Sequence, residues 1–169
     1  PRVPGKCGSI LFEQDGRACI DRDIIIDGVV KEYFINTYMS GKMGMEATSD
    51  TANRPVLQPF VNGNASLTEA LRRGEGGLDR DGILELCGSG ILVTGFNGGN
   101  CNAATGEFSY GVEGFEFKDG QIARPIESML ITGDMVSLWN SLIAAGTDPM
   151  AGMSRQIPTL AFSDISFNS

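Results

Sequence analysis

The 169-residue chain contains no histidine. That absence removes an HExxH zinc motif, a Ser-His-Asp triad and a histidine general base from anything this chain does alone. Cysteine is sparse: Cys7, Cys19, Cys87 and Cys101 fit neither a zinc ribbon nor a CxxC pair, and four are too few for a disulfide scaffold. They read as reduced thiols, with a cytoplasmic setting expected. Basic residues are scarce, 13 Lys and Arg against 21 Asp and Glu, for a net charge of −8. With Arg72-Arg73 as the one local basic run, no phosphate-binding patch forms and nucleic acid is not expected as a partner. No apolar run approaches the roughly 20 residues of a membrane helix, and no signal peptide is visible, so no membrane role is expected. The start at Pro1, without methionine, reads as a processed or partial chain.

Glycine is plentiful, with 23 residues. Together with short alternating apolar runs, it favours strands and turns over long helices. The expectation is a β-rich α+β fold with antiparallel hairpins and two or three short helices. The length suits one domain, residues 1–169, with a real core.

Asn97 to Ile126 organises the rest. Phe108, Tyr110, Val112, Phe115 and Phe117 mark strand alternation. Asp119-Gly120 follows as a type I′ turn, and Gln121 to Ile126 returns as the partner strand. Gly106, Gly111 and Gly114 permit bends or close backbone approach within the pattern.

Upstream, Ser9 to Gln14 reads as a short strand closed by Asp15-Gly16. Asp27-Gly28 turns a second hairpin, with Val29 to Thr37 as its return strand. Met45 to Asn64, broken by Pro55 and Pro59, is a loop long enough to suggest function or interface. Ser66 and Glu69 form a capping box for a helix over Ser66 to Arg73. Ile83 to Leu86 and Gly90 to Phe96 read as strands, with Cys87 between them as a small buried hydrophobe. Glu127 to Thr132 reads as a strand. Asp134 then caps a helix over Met135 to Ala145, with Gly146 as its stop. Gln156 to Phe167 closes the chain as an alternating strand.

Several of these segments, in order, resemble one family. Thr105 to Ile126 (TGEFSYGVEGFEFKDGQIARPI) is similar to the signature of the TldD/PmbA C-terminal domain. Arg22 to Val30 (RDIIIDGVV), Tyr38 to Gly44, Ile91 to Thr94, the helix after Asp134 and the Gly146-Thr147-Asp148 turn match further family segments. The family comprises zinc metallopeptidases once described as modulators of DNA gyrase, and its members are longer, so the resemblance implies the C-terminal part of such a protein.

Catalytic members carry a histidine-glutamate-histidine motif upstream and a cysteine ligand in a turn after the last helix. Here that turn, Asp148 to Gln156, has Met150 and Met153 and no cysteine. The resemblance is therefore closest to the non-catalytic PmbA/TldE kind. It implies no cofactor in this chain, zinc in a TldD-like partner subunit (or a homodimer), and a peptide substrate in a shared cleft. Whether the chain itself is an enzyme stays open.

Peptide-cleft candidates are Asn100, Asn102, Thr105, Gly106, Ser109 and Tyr110, with turn capping as the plain alternative for the polar ones. A peptide could be held by main-chain hydrogen bonds along the Gly106 to Gly114 strand. A non-enzymatic peptide- or protein-binding module is the alternative reading. An acid pair at Asp21 and Asp23 is the remaining hydrolytic possibility.

Overall fold

A computed structural model describes residues 2–126 and 128–168. The chain divides into two compact units, Pro1–Val56 with Met150–Ile157, and Leu57–Pro149 with Pro158–Ser169.

The first unit is built on turns. Glu13 N–H donates to Arg17 O at 2.8 Å, and Cys19 N–H to Leu11 O at 2.9 Å, around the Asp15-Gly16 reversal. The expected strand over Ser9 to Gln14 amounts to a single antiparallel bridge, Phe12 to Ala18. Strands β1 (Ile25–Ile26) and β2 (Val29–Val30) pair antiparallel. Asp27 and Gly28 between them adopt φ of 49° and 76°, the two positive values that a type I′ turn demands. The return strand ends at Val30, well short of Thr37.

Helix α1 (Thr37–Met43) follows, capped by Asn36, whose side chain accepts from Met39 N–H, and closed by Gly44. Polar side chains hold the next segment. Arg17 donates to Ala47 O and Thr48 O, Arg22 donates to Thr48 O and pairs with Glu32, and Thr48 Oγ1 accepts from Ile35 N–H. Buried Glu13 accepts from the Ser49 hydroxyl and from Asp50 N–H. The first part of the long loop is thus fastened by the unit's own side chains.

The second unit holds two sheets. Its elements run β3 (Phe60–Val61), α2 (Ala65–Arg72), α3 (Arg80–Cys87), β4 (Gly90–Cys101), β5 (Glu107–Lys118), β6 (Gln121–Pro125), β7 (Met129–Asp134), α4 (Met135–Asn140), β8 (Leu142–Ala145), β9 (Leu160–Phe162) and β10 (Phe167–Asn168). Five strands form one antiparallel sheet in the order β10-β7-β5-β4, with β6 also on β5; β3, β8 and β9 form a second. Phe108, Val112 and Ile131 make the core of the large sheet. Val61, Leu71, Ile83, Ala144 and Ala161 make the core of the small one. The protein is therefore α+β and β-rich, as its pattern of short alternating runs requires.

Several local expectations are corrected. Ile83 to Leu86 is not a strand but lies in α3. Asp79 caps that helix by accepting from Gly82 N–H at 3.0 Å, and Ile83 and Leu84 are its buried face. Helix α2 begins one residue early and is capped by Asn64 rather than Ser66. The helix after Asp134 stops at Asn140. Leu142 to Ala145 pairs instead with β3 and β9, where Ala144 and Ala145 are fully buried. Tertiary pairing of a small-residue run overrides its helical spacing. The closing strand is two short ones, β9 and β10, with a break between. The strand expected from Glu127 appears as β7 from Met129; Glu127 lies outside the described residues.

Candidate functional site

The six cleft candidates gather at one end of the β4–β5 hairpin. Asn102 accepts Ala104 N–H at its Oδ1 at 2.9 Å and Gly106 N–H at its carbonyl at 2.7 Å. Thr105 Oγ1 accepts from Glu107 N–H at 3.3 Å and bonds the Glu107 carboxylate at 3.2 Å. Gly106 takes φ of +80° and its carbonyl accepts from Met135 N–H at 2.9 Å. Asn102, Thr105 and Gly106 thus build the reversal itself. Asn100 and Ser109 face each other across the hairpin. Tyr110 is half-buried between Phe96, edge-on at 5.6 Å, and Phe108, stacked at 6.0 Å.

The strand from Gly106 to Gly114 offers no free edge to a peptide. Strand β5 bonds β4 along one side, and β7 then β6 along the other. Its glycines serve the chain's own packing: a Cβ on Gly111 would lie 2.2 Å from Asn97 Oδ1. Among the described residues, the strand of this hairpin with one side unpaired is β4. Glycine spacing alone could not separate the two strands, because both are glycine-rich and each alternates.

The electrostatics are those of exposed pairs and caps. Asp134 is held below the usual aspartate range by the Ser137 hydroxyl and backbone at the start of α4. Arg124 is raised by its pairing with Glu116 across β5 and β6. Burial pushes the Cys87 thiol up, away from the thiolate that a metal or an electrophile requires.

These donors do not fit zinc. The chain has no histidine, its cysteines divide two and two between the units, and no group of three or more His, Cys, Asp or Glu suited to a metal occurs among the described residues. Where a cysteine ligand is implied by resemblance, the carbonyls of Met150 and Met153 accept from the Gln156 side-chain amide. Asp148 is occupied as well, bonding both Thr159 N–H at 3.0 Å and the Thr159 hydroxyl at 2.7 Å.

A family model, the PmbA/TldA metallopeptidase C-terminal domain, matches residues 1–169. The chain belongs to this family. Metalloprotease PmbA of Escherichia coli O157:H7 is 28% identical over 148 residues, covering 88% of this chain and 30% of that protein. A candidate modulator of DNA gyrase from Bacteroides thetaiotaomicron superimposes with a TM-score of 0.80 at 37% identity, covering 96% of this chain and 34% of that one. TldE from Thermococcus kodakarensis shares the fold, with a TM-score of 0.71 at 17% identity over 95% of this chain and 36% of its own. The chain spans about a third of the length of the relatives it matches. The PmbA/TldD family domain thus accounts for the β4–β5 hairpin and its flanking strands as a shared framework.

Proposed function

We propose that this chain is the C-terminal domain of a PmbA/TldE-like subunit in a zinc-dependent peptidase complex. It supplies interface and peptide cleft, while a TldD-like partner supplies the metal and the catalytic groups. Membership of a metallopeptidase family, joined to a donor set unable to hold zinc, carries this reading. A chain without histidine contributes to hydrolysis by completing a site whose chemistry lies elsewhere.

The cleft side of the domain is the β4–β5 hairpin, with Asn100, Ser109 and Tyr110 along it and the Asn102 to Gly106 reversal shaping its end. In this reading residues 1–169 serve as a single domain of a cytoplasmic dimer. No helix among the described residues is long and apolar enough to cross a membrane.

The test is co-purification. The full-length form of this protein, mixed with a zinc-bearing TldD-like relative, is expected to elute with it as a complex with all zinc assigned to the relative. Separate elution of the two, with no shift in either, contradicts the reading.

A further inference from the structure

The first unit carries two adjoining depressions, of about 330 Å³ and 290 Å³. Gln14 and Asp50 belong to both, with Phe12 and Glu13 in the first and Asp15 and Tyr38 in the second. No Lys or Arg lines either one. Asp15 accepts from the Thr37 hydroxyl, which holds it below the ordinary aspartate range and so ionised at neutral pH.

Glu13 sets this surface apart from a solvated acidic patch. It is 7% exposed, and its Oε1 accepts from the Ser49 hydroxyl and, at 3.1 Å, from Asp50 N–H. Its Oε2 is buried and has no hydrogen-bond partner among the described residues. A buried carboxylate oxygen without a donor is costly, and a cation seated beside it offsets that cost. Arg17 does not supply the donor. Its Nη2 donates to Ala47 O and Thr48 O, and its Nη1 is itself buried without a partner.

The shape of the surface selects the kind of cation. No group of three or more His, Cys, Asp or Glu among the described residues is suited to a metal, so these carboxylates do not converge on one ion. An organic cation reaches separated oxygens and leaves its methylenes for apolar contact. Phe12 and Tyr38, one in each depression, are 65% and 72% exposed, and open aromatic faces attract ammonium groups.

We propose that the surface formed by Glu13, Asp15 and Asp50 binds an alkylammonium cation, its nitrogen donating to Glu13 and Asp50 and its methylenes lying against Phe12. A diammonium also engages Asp15, beside Tyr38. The same chemistry comes from a free amine or from a lysine side chain of another protein.

The experiment titrates 1,4-diaminobutane, lysine capped at both ends and the neutral 1,4-butanediol into the full-length protein by calorimetry at low salt. At least one amine is expected to bind and the diol not to. Tighter binding of the diamine names a free amine as the source, and tighter binding of the capped lysine names a protein side chain. Asp50→Asn, at an exposed position, is expected to weaken amine binding by about tenfold or more. Glu13→Gln keeps an acceptor for Ser49 and Asp50 and is expected to weaken it similarly. Glu69→Gln, which removes one charge from α2, should leave it unchanged.

No binding of either amine, or equal binding of the diol, overturns the inference. So does an equal loss in Asp50→Asn and Glu69→Gln, because the attraction then belongs to the net negative charge. Magnesium that binds more tightly than either amine also overturns it.

Discussion

The carbonyl oxygen of Leu92 stands where a side chain on Gly114 would begin: a Cβ at Gly114 would lie 1.9 Å from it. The two residues sit at the first bulge of the β4–β5 hairpin, where Val93 pairs with Gly114 and the register then slips. The obstacle is backbone, so no rotamer change relieves it. Gly114→Ala is expected to destabilise the protein by about 3 kcal/mol or more, beyond ordinary overpacking. Urea unfolding measures it, and a change within about 0.5 kcal/mol, the level of a neutral surface substitution, contradicts this packing.

Ala144 tests the reassignment of Leu142 to Ala145 from helix to strand. It is fully buried in the middle strand of the small sheet, between β3 and β9. Ala144→Leu has no room to enlarge and is expected to cost about 1–3 kcal/mol by overpacking. An unchanged denaturation midpoint would mean that this segment is not central.

Asp134 carries a pH dependence whose sign is fixed. Its carboxylate accepts from Ser137 N–H, and its pKa lies below the ordinary value of 3.8. A depressed folded-state pKa contributes stability that is present above the unfolded value and lost as pH falls through the folded one. Acid titration by circular dichroism should therefore show Asp134→Asn, which keeps a capping acceptor, less acid-sensitive than the native chain below pH 3.8. Identical acid transitions would show that the cap does not titrate.

Asn102 decides between reversal and ligand contact at the hairpin end. Its Oδ1 already accepts from Ala104 N–H, so Asn102→Ala should cost about 1 kcal/mol of stability through the turn. Peptide affinity should stay unchanged. Lost affinity at full stability would place its side chain in the cleft instead.

Much of the fold was legible in the sequence, for local reasons. Asp27-Gly28 and Asp119-Gly120 both adopt the paired positive φ that their dipeptides encode. Asp134 caps the helix it was expected to cap. The errors arose where one pattern served two structures. Ile83 to Leu86 reads as a short apolar strand, yet Asp79 just before it starts a helix that runs through it. Met135 to Ala145 keeps helical spacing throughout, but the small Ala144 and Ala145 are taken by a sheet whose strand β3 lies far away in sequence. The six candidates gather at one end of the β4–β5 hairpin, but alternation did not show which of its strands is paired on both sides. Asn100 and Ser109 do face one another. Which strand of the hairpin stays unpaired depends on β6 and β7 covering β5, a long-range choice that alternation cannot express.

The measurement closest to the central claim is cleavage of an unstructured peptide by the zinc-bearing relative, with and without the full-length form of this protein. The account requires this protein alone to be inactive, the relative alone to be weak, and the mixture to cleave at a rate that zinc chelation abolishes. Cleavage by this protein alone, or a relative whose activity does not change when this protein is added, would contradict it.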